Sequence, residues 1–133
     1  MHKTTTEGER TASRPLAVTY RATVSLKPDP RNARTHSMRQ VEQIVASIRE
    51  FGFTNPILLD PEGSIIAGHG RLRAARSLGL AEVPTIELVG LSEAQKSALR
   101  LADNKIALNA GWDLDLLKEQ LGELASFDLD LSL

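Results

Sequence analysis

The strongest periodic pattern in the chain lies in residues 37–51. Apolar side chains recur there at helical spacing, which places them on one face of a helix. These side chains are Val41, Ile44, Val45, Ile48 and Phe51. Ser37 and Gln40 have the spacing of a capping box, and Gly52 suits a left-handed cap at the other end. The pattern predicts a helix over residues 37–51.

Short apolar runs elsewhere predict strands. Residues 20–26 (YRATVSL) alternate and contain β-branched side chains, which is typical of a strand. Residues 56–60 and 64–68 are continuously apolar and flank a Pro-Glu-Gly turn, so we expect two buried strands joined by that turn. A further run at residues 83–90 predicts another strand.

The remaining segments are predicted to be helical. One helix covers about residues 69–78 and ends at Gly79, with a buried stripe of Leu72, Ala75 and Leu78. Ser92 and Gln95 repeat the capping-box spacing. Asp113 precedes a final amphipathic helix, whose apolar positions are Leu114, Leu117, Leu121 and Leu124. The order β-α-β-β-α-β followed by helices predicts an α/β (α+β) fold, a small mixed β-sheet with surrounding helices.

Composition indicates one small domain behind a tail. A chain of 133 residues with 41% hydrophobic side chains supports a single core. Residues 1–18 are predicted to be a disordered N-terminal tail because they are poor in apolar side chains, and 19–133 to be the domain. The lack of cysteine and of any apolar stretch near the roughly 20 residues that span a bilayer favours a cytoplasmic protein with no membrane partner. The abrupt FDLDLSL ending suggests a fragment that lacks a C-terminal domain.

Charge is distributed unevenly although the net charge is only −1. Residues 1–76 carry 12 Lys and Arg against 7 Asp and Glu, whereas residues 77–133 carry 4 against 10. A local basic face can bind phosphate or nucleic acid despite a neutral total. Two ordinary solvated faces are the alternative that the counts leave open.

The stretch IIAGHGRLRAARSLG, residues 65–79, places Gly68, His69 and Gly70 where a strand turns into a helix. The unpaired N–H groups of a first helical turn, the small glycines and the charge of Arg71 and Arg73 suit an anion. A protonated His69 would add a further donor. A plain strand-to-helix turn with solvated arginines remains equally compatible with the spacing.

Three segments in order resemble the N-terminal domain of ParB-like proteins in the ParB/sulfiredoxin superfamily. They are FGFTNPILLD, GHGRLRAARSLGLAEVP and LADNKIAL, within a resemblance that runs from about Val24 to Leu117. The similarity is greatest to the branch associated with DNA methyltransferases. It implies a ParB/sulfiredoxin-like fold.

The resemblance implies a nucleotide site. In partition ParB proteins the G-E-R-R-x-R-A stretch binds the triphosphate of CTP; here His69 replaces the glutamate and Gly70 an arginine. The implied phosphate or nucleotide contacts are Gly68, His69, Gly70, Arg71, Arg73 and Asn104. The family motif E-N-x-x-R matches Asp103-Asn104, which implies Asp103 as a ligand of Mg²⁺. From the residues alone, a cap that interrupts a helix is the alternative for this pair.

Three further positions are secondary candidates by the same resemblance: Arg34, which lies in the segment before the first helix, and Thr54 and Asn55, which lie near the base in the family. Thr54 and Asn55 also suit a simple turn before Pro56.

Several functions fit these features. We expect a DNA-associated module that binds CTP, another nucleoside triphosphate or DNA phosphate, in DNA modification or segregation. Expected partners are DNA, a second copy of the chain and a DNA methyltransferase. The alternatives are a metal-dependent nuclease or nucleotide hydrolase, with Asp60, Glu62 and Asp103 as nominated carboxylates, and an interaction module with a decayed pocket. Sulfiredoxin chemistry is excluded because it needs a thiolate.

Overall fold

The computed structural model describes residues 15–32, 35–109 and 111–127, and of residues 106–109 it describes the backbone alone. Within this range, the strands form one mixed sheet in the order β1-β4-β2-β3. The strands are β1 (Val18–Ala22), β2 (Ile57–Leu59), β3 (Ile65–Ala67) and β4 (Glu82–Glu87). Strand β4 pairs antiparallel with β1 and parallel with β2, and β2 pairs antiparallel with β3. The predicted mixed sheet is confirmed.

A tight turn joins β2 to β3, as predicted. Asp60 Oδ1 accepts hydrogen bonds from the backbone N–H groups of Glu62 at 2.9 Å and Ser64 at 3.0 Å. Gly63 has a φ of +86°, a conformation that favours glycine. The buried Asp60 carboxylate therefore shapes the hairpin.

Four helices surround the sheet in the described part of the chain. They are α1 (Met38–Phe51), α2 (His69–Leu78), α3 (Glu93–Asn109) and α4 (Leu114–Leu124). The predicted N-caps are confirmed: Ser37 Oγ accepts from Gln40 N–H at 3.0 Å, Ser92 Oγ from Gln95 N–H at 3.1 Å and Asp113 Oδ1 from Leu116 N–H at 3.1 Å. No helix among these residues is long and apolar enough to cross a membrane.

The core lies between the sheet and α2. Its buried side chains come from β2, β3 and β4, from α2 and from the segment after β1: Leu26, Ile57, Leu59, Ile65, Leu72, Ala75 and Val83. A second cluster joins α1 to α2 through Val41, Val45 and Ala74. Ala74 and Ala75 are fully buried, so these small side chains let α2 lie close to both α1 and the sheet.

Four local predictions differ from the structure. Strand β4 ends at Glu87 rather than residue 90. Strand β1 ends at Ala22 rather than residue 26, because Thr23–Ser25 forms a 3-10 turn in which Thr23 N–H donates to Ala81 O and Thr23 Oγ1 to Leu80 O. Phe51, assigned to the apolar face of α1, is 54% exposed, since it lies in the last turn beyond the α2 contact. No side chain of α4 is buried. Of the predicted tail, residues 1–14 lie outside the described residues, so its boundary stays a prediction.

Candidate functional site

The turn between β3 and α2 forms the floor of a pocket. Gly68 has a φ of +111°, so the backbone there favours glycine. A Cβ at this position would also lie 3.1 Å from Arg71 Nη2 and 3.2 Å from the Ile57 side chain. The first turn of α2 follows at once, and its leading N–H groups have no partner within the helix. Gly68, His69, Gly70 and Arg71 all line the same pocket, as predicted.

Gly70 is required for a reason that the sequence did not indicate. A Cβ at residue 70 would lie 2.9 Å from both Cε1 and Nδ1 of His36 and 3.1 Å from Ile44 Cδ1. The His36 ring therefore packs directly against the α2 backbone. Gln40, predicted to complete the capping box through its side chain, instead places Oε1 2.9 Å from His36 Nδ1. The pair His36 and Gln40 forms one wall of the pocket.

Helix α3 supplies the opposite wall. Arg100, Asp103 and Asn104 lie on one face of this helix and line the pocket. Residues 103 and 104 lie within the continuous helix Glu93–Asn109, so the alternative of a helix-interrupting cap is wrong. The structure thus brings Asp103 and Asn104 to the Gly68 turn, more than thirty positions away along the chain.

His69 bonds to the protein rather than projecting as a cationic donor. Its Nε2 accepts a hydrogen bond from Asp29 N–H at 3.0 Å. Burial lowers the pKa of His69, and the positive charge of Arg100 and the nearby His36 add to that decrease. The Asp29 carboxylate raises the pKa but does not offset them, so the pKa of His69 lies below its ordinary value of 6.5. An accepting Nε2 requires the neutral ring with its proton on Nδ1, so the expected protonated state of His69 is wrong. A phosphate contact by His69 stays a prediction.

The two arginines at the start of α2 point to different places. Arg71 Nη2 donates to Pro56 O at 3.0 Å, which holds its guanidinium beside the Gly68 turn. Arg73 is exposed and donates through Nη1 to His36 O at 3.2 Å. It lines an adjoining depression together with Arg76. Arg73 and Arg76 thus share a face of α2, and Arg73 is not among the residues that line the pocket.

The secondary candidates lie apart from the pocket floor. Thr54 and Asn55 are exposed loop residues that line an adjoining groove, and Arg71 contributes to both the groove and the pocket. Arg34 lies outside the described residues. Its contact with a ligand stays a prediction.

Arg100 is a pocket residue that sequence reasoning missed. Its Nη2 lies 2.6 Å from Asp29 Oδ2, and both side chains are 14% exposed. Its Nε is buried without a hydrogen-bond partner among the described residues, so the cation depends on Asp29 for compensation. The signal was present: residues 100, 103 and 104 have the spacing of one helical face. His36 and Gln40 had no comparable signal, because their approach to α2 is a tertiary contact.

The side-chain oxygens of the pocket suit a metal cation only when a bound ligand supplies further oxygens. Asp103 and Asn104 offer a carboxylate and an amide oxygen, the donor types that Mg²⁺ prefers, and Mg²⁺ in nucleotide sites takes its other ligands from phosphates and water. Among the described residues, no group of three or more His, Cys, Asp or Glu side chains is placed to hold a metal. The residues therefore suit a phosphate-bridged Mg²⁺ and not a cage built from protein ligands.

The nominated nuclease carboxylates do not converge. Asp60 is buried in the β2–β3 turn, where Lys96 Nζ lies 3.3 Å from its Oδ2. Burial raises the pKa of Asp60, but the bonds from Ser64 N–H, Lys96 and Glu62 N–H outweigh burial and hold it below 3.8. Asp60 and Glu62 do not line the pocket, whereas Asp103 does.

Comparison with known proteins agrees with the fold. A model of the ParB N-terminal domain matches residues 9–105. The ParB-like nuclease domain-containing protein YnaK of Escherichia coli K12 is 52% identical over 84 residues, which are 63% of this chain and 97% of YnaK. The chromosome-partitioning protein Spo0J of Thermus thermophilus is 34% identical over 84 residues, 60% of this chain and 31% of Spo0J. The chain thus spans nearly all of one relative and about a third of the other.

Solved structures share the architecture. The C-terminally truncated chromosome-partitioning protein ParB from Caulobacter crescentus, crystallised with CTP-gamma-S, superposes with a TM-score of 0.72 at 26% identity, covering 83% of this chain and 63% of that one. A Pnob8-like ParB-N domain gives a TM-score of 0.53 at 22% identity over 64% of this chain and 34% of that one. The predicted ParB-like fold is confirmed. The comparisons do not bear on a DNA methyltransferase association, which stays a prediction.

Proposed function

We propose, because this chain belongs to the ParB N-terminal domain family, that its pocket binds the phosphate groups of a nucleoside triphosphate. The observation that carries the proposal is that groups from three parts of the chain line the same pocket. The Gly68 turn, at which α2 begins, the Arg71 guanidinium and the Arg100–Asn104 face of α3 line one pocket. The leading N–H groups of α2 have no acceptor within the helix. Phosphate is the anion that such a turn, with an adjacent guanidinium, binds best.

CTP is the first nucleotide to consider. The Caulobacter ParB that shares the fold was crystallised with a CTP analogue. In this chain Gly68, Gly70, Arg71 and Asn104 would contact the triphosphate, with Gly70 and His36 shaping the wall beside it. Arg73 is the weakest member of the predicted set, since it lines another depression.

Mg²⁺ would be held by Asp103, with Asn104 beside it, and by the phosphates themselves. An ion held there would neutralise part of the phosphate charge. The protein's part is to place a carboxylate oxygen across the pocket from the α2 backbone.

The module is proposed to act in association with DNA, in segregation or modification. Relatives of this family include chromosome-partitioning proteins. Homodimerisation on nucleotide binding belongs to the same proposal. DNA backbone phosphate is the competing ligand for the same pocket, because it offers the same oxygen acceptors.

Ligand-induced thermal stabilisation tests the proposal. The chain is heated with CTP, UTP, ATP, GTP, inorganic tripolyphosphate or short duplex DNA, each with and without Mg²⁺. A ligand at a hundredfold excess over Kd adds about 2.7 kcal/mol to the free energy of unfolding, which is a shift of several degrees for a domain of this size. We expect a Mg²⁺-dependent shift with one nucleotide.

Arg71→Ala should abolish that shift, and Arg76→Ala is the matched control, since Arg76 is exposed on a different face of α2. Each variant is compared with its own ligand-free protein, because losing the Arg71 bond to Pro56 O lowers stability by itself. A shift with duplex DNA alone assigns the pocket to backbone phosphate. No shift with any ligand overturns the proposal and favours an interaction module.

A further inference from the structure

The phosphate pocket cannot contain a whole nucleotide. Its volume is about 110 Å³, whereas pockets that enclose small molecules usually have roughly 300–1,000 Å³. A groove of about 650 Å³ adjoins it, and Gln40, Ile44 and Arg71 line both. A nucleotide whose phosphates occupy the pocket must therefore extend its remaining atoms beyond it. This groove and the depression lined by Arg73 and Arg76 both adjoin the pocket, and the groove is the one with apolar walls beside polar side chains.

The groove has the chemistry of a base-binding surface. Its apolar walls come from α1, from the loop after α1 and from α4: Ile44, Ile48, Phe53, Leu117 and Leu121. Hydroxyl and amide side chains, among them Gln43, Thr54 and Asn55, lie along the same groove. Flat apolar walls beside polar side chains suit a heteroaromatic ring with hydrogen-bonding edges better than they suit a purely apolar partner.

Trp112 stands at this groove with most of its surface open. The indole lines the groove, yet 72% of the residue is exposed. Its place is fixed by the start of α4: it precedes the cap residue Asp113, whose Oδ1 accepts from Leu116 N–H. Trp112 and Leu117 hold the positions of a hydrophobic staple. A staple accounts for the location of the side chain but leaves its exposed indole surface without a function.

We propose that Trp112 stacks on the base of the nucleotide whose phosphates occupy the Gly68–Arg71 pocket. This inference rests on the proposed function. Trp112 lies beyond residues 9–105, which the ParB N-terminal domain model matches, so the role concerns this chain's own residue. Proteins that bind single-stranded nucleic acids place aromatic side chains along a groove that also carries positive charge. Trp112 and Arg71 both line this groove.

The experiment uses the fact that Trp112 is the single tryptophan of the chain. Intrinsic fluorescence therefore reports on this position alone. The full chain is titrated with the nucleotide that gives the largest thermal shift and, separately, with inorganic tripolyphosphate, both with Mg²⁺. Stacking predicts that the nucleotide quenches the emission of Trp112, whereas tripolyphosphate binds without comparable quenching.

Nucleotide affinities of Trp112 variants, measured by calorimetry, distinguish stacking on the base from a purely structural role of Trp112 in the hydrophobic staple. Trp112→Leu keeps an apolar staple and removes the aromatic ring, so we expect its nucleotide affinity to fall about 5- to 100-fold, with tripolyphosphate affinity unchanged. Trp112→Phe retains a ring and should stay within about fivefold of the native chain. Tyr20→Ala, which removes an exposed aromatic side chain far from the groove lining, should bind as the native chain does.

The outcomes distinguish this inference from the function on which it rests. If nucleotide binds but Trp112→Leu has native affinity and the emission is unchanged, stacking is overturned while the phosphate pocket stands. If neither nucleotide nor tripolyphosphate binds, both fail. If Trp112→Leu changes only the oligomeric state in sedimentation, the groove belongs to a second copy of the chain and the inference is wrong.

Discussion

The imidazole of His69 accepts a hydrogen bond from the backbone N–H of Asp29, with 3.0 Å between Nε2 and N. The side chain of the same Asp29 holds Arg100 Nη2 at 2.6 Å. Asp29 thus connects the first residue of α2 with α3 and with the segment that follows β1. The floor of the pocket and its α3 wall are fastened to each other through a residue that does not line it.

The first prediction is that acidification weakens the fold through His69. The folded protein holds the pKa of His69 below its ordinary 6.5, chiefly by burial. As the pH falls through 6.5, His69 becomes protonated in the unfolded chain while it stays neutral in the folded chain. The free energy of unfolding therefore decreases until the pH is below the pKa of His69 in the folded protein. Urea unfolding at pH 7.5 and 5.5 measures the loss.

His69→Gln is the control for that loss. The glutamine side chain offers an oxygen to Asp29 N–H and does not titrate. The native chain should lose more stability between the two pH values than this variant, since contributions of all other groups are common to both. Equal losses would show that His69 is not the responsible group.

The second prediction concerns the two glycines within α2 and α4. Gly70→Ala places a Cβ 2.9 Å from the His36 ring, which must move away from Gln40, so we expect a loss of about 1–3 kcal/mol. At Gly122 a Cβ meets nothing within 4 Å among the described residues, and alanine there should stabilise α4 by about 0.5–1 kcal/mol. Denaturant midpoints should therefore move in opposite directions, and the same direction for both would contradict the assigned His36 contact.

Local patterns sufficed to predict the elements whose ends carry side-chain or glycine signals. Ser37, Ser92 and Asp113 cap the helices that their spacing predicted, and Gly68 and Gly79 bound α2 as expected. Strand β1 was misjudged at its end because Thr23 bonds to residues 80 and 81, which are distant in sequence. No local pattern records that contact.

The candidate site divides in the same way. Gly68 and Arg71 were found because the strand-to-helix turn is local. Arg73 differs from Arg71 only through helix orientation, which depends on how α2 packs against α1. Arg100 shares a helical face with Asp103 and Asn104, and that spacing was available in the sequence. The neutral state of His69 depends on the position of Asp29, which no spacing records.

The third prediction separates a structural carboxylate from a catalytic one. Asp60→Ala removes the acceptor for Glu62 N–H and Ser64 N–H and the partner of Lys96, so the free energy of unfolding should fall by about 1–3 kcal/mol. Glu62→Ala, at an exposed position of the same turn, should change it by less than about 0.5 kcal/mol. Thermal unfolding of both variants measures this, and nucleotide affinity of the folded Asp60→Ala protein should be native. A selective loss of binding or of DNA cleavage with unchanged stability would restore Asp60 as a site residue.

The fourth prediction is that Asp29 and Arg100 are energetically coupled. Both side chains are 14% exposed and their charged atoms lie 2.6 Å apart, so removing either one leaves a largely buried charge without compensation. Asp29→Asn retains Oδ1 for Arg31 N–H, and Arg100→Met retains the apolar stem, so each change isolates the ion pair. Each single variant should lose about 1–3 kcal/mol.

A double-mutant cycle in urea decides whether that coupling exists. Because the second substitution removes a charge that the first has already left unpaired, the double variant should lose less than the sum of the single losses, with an interaction energy of about 0.5–3 kcal/mol. Strictly additive losses would mean that Asp29 and Arg100 stabilise the protein independently. In that case α3 must be held to the Gly68 turn by other contacts.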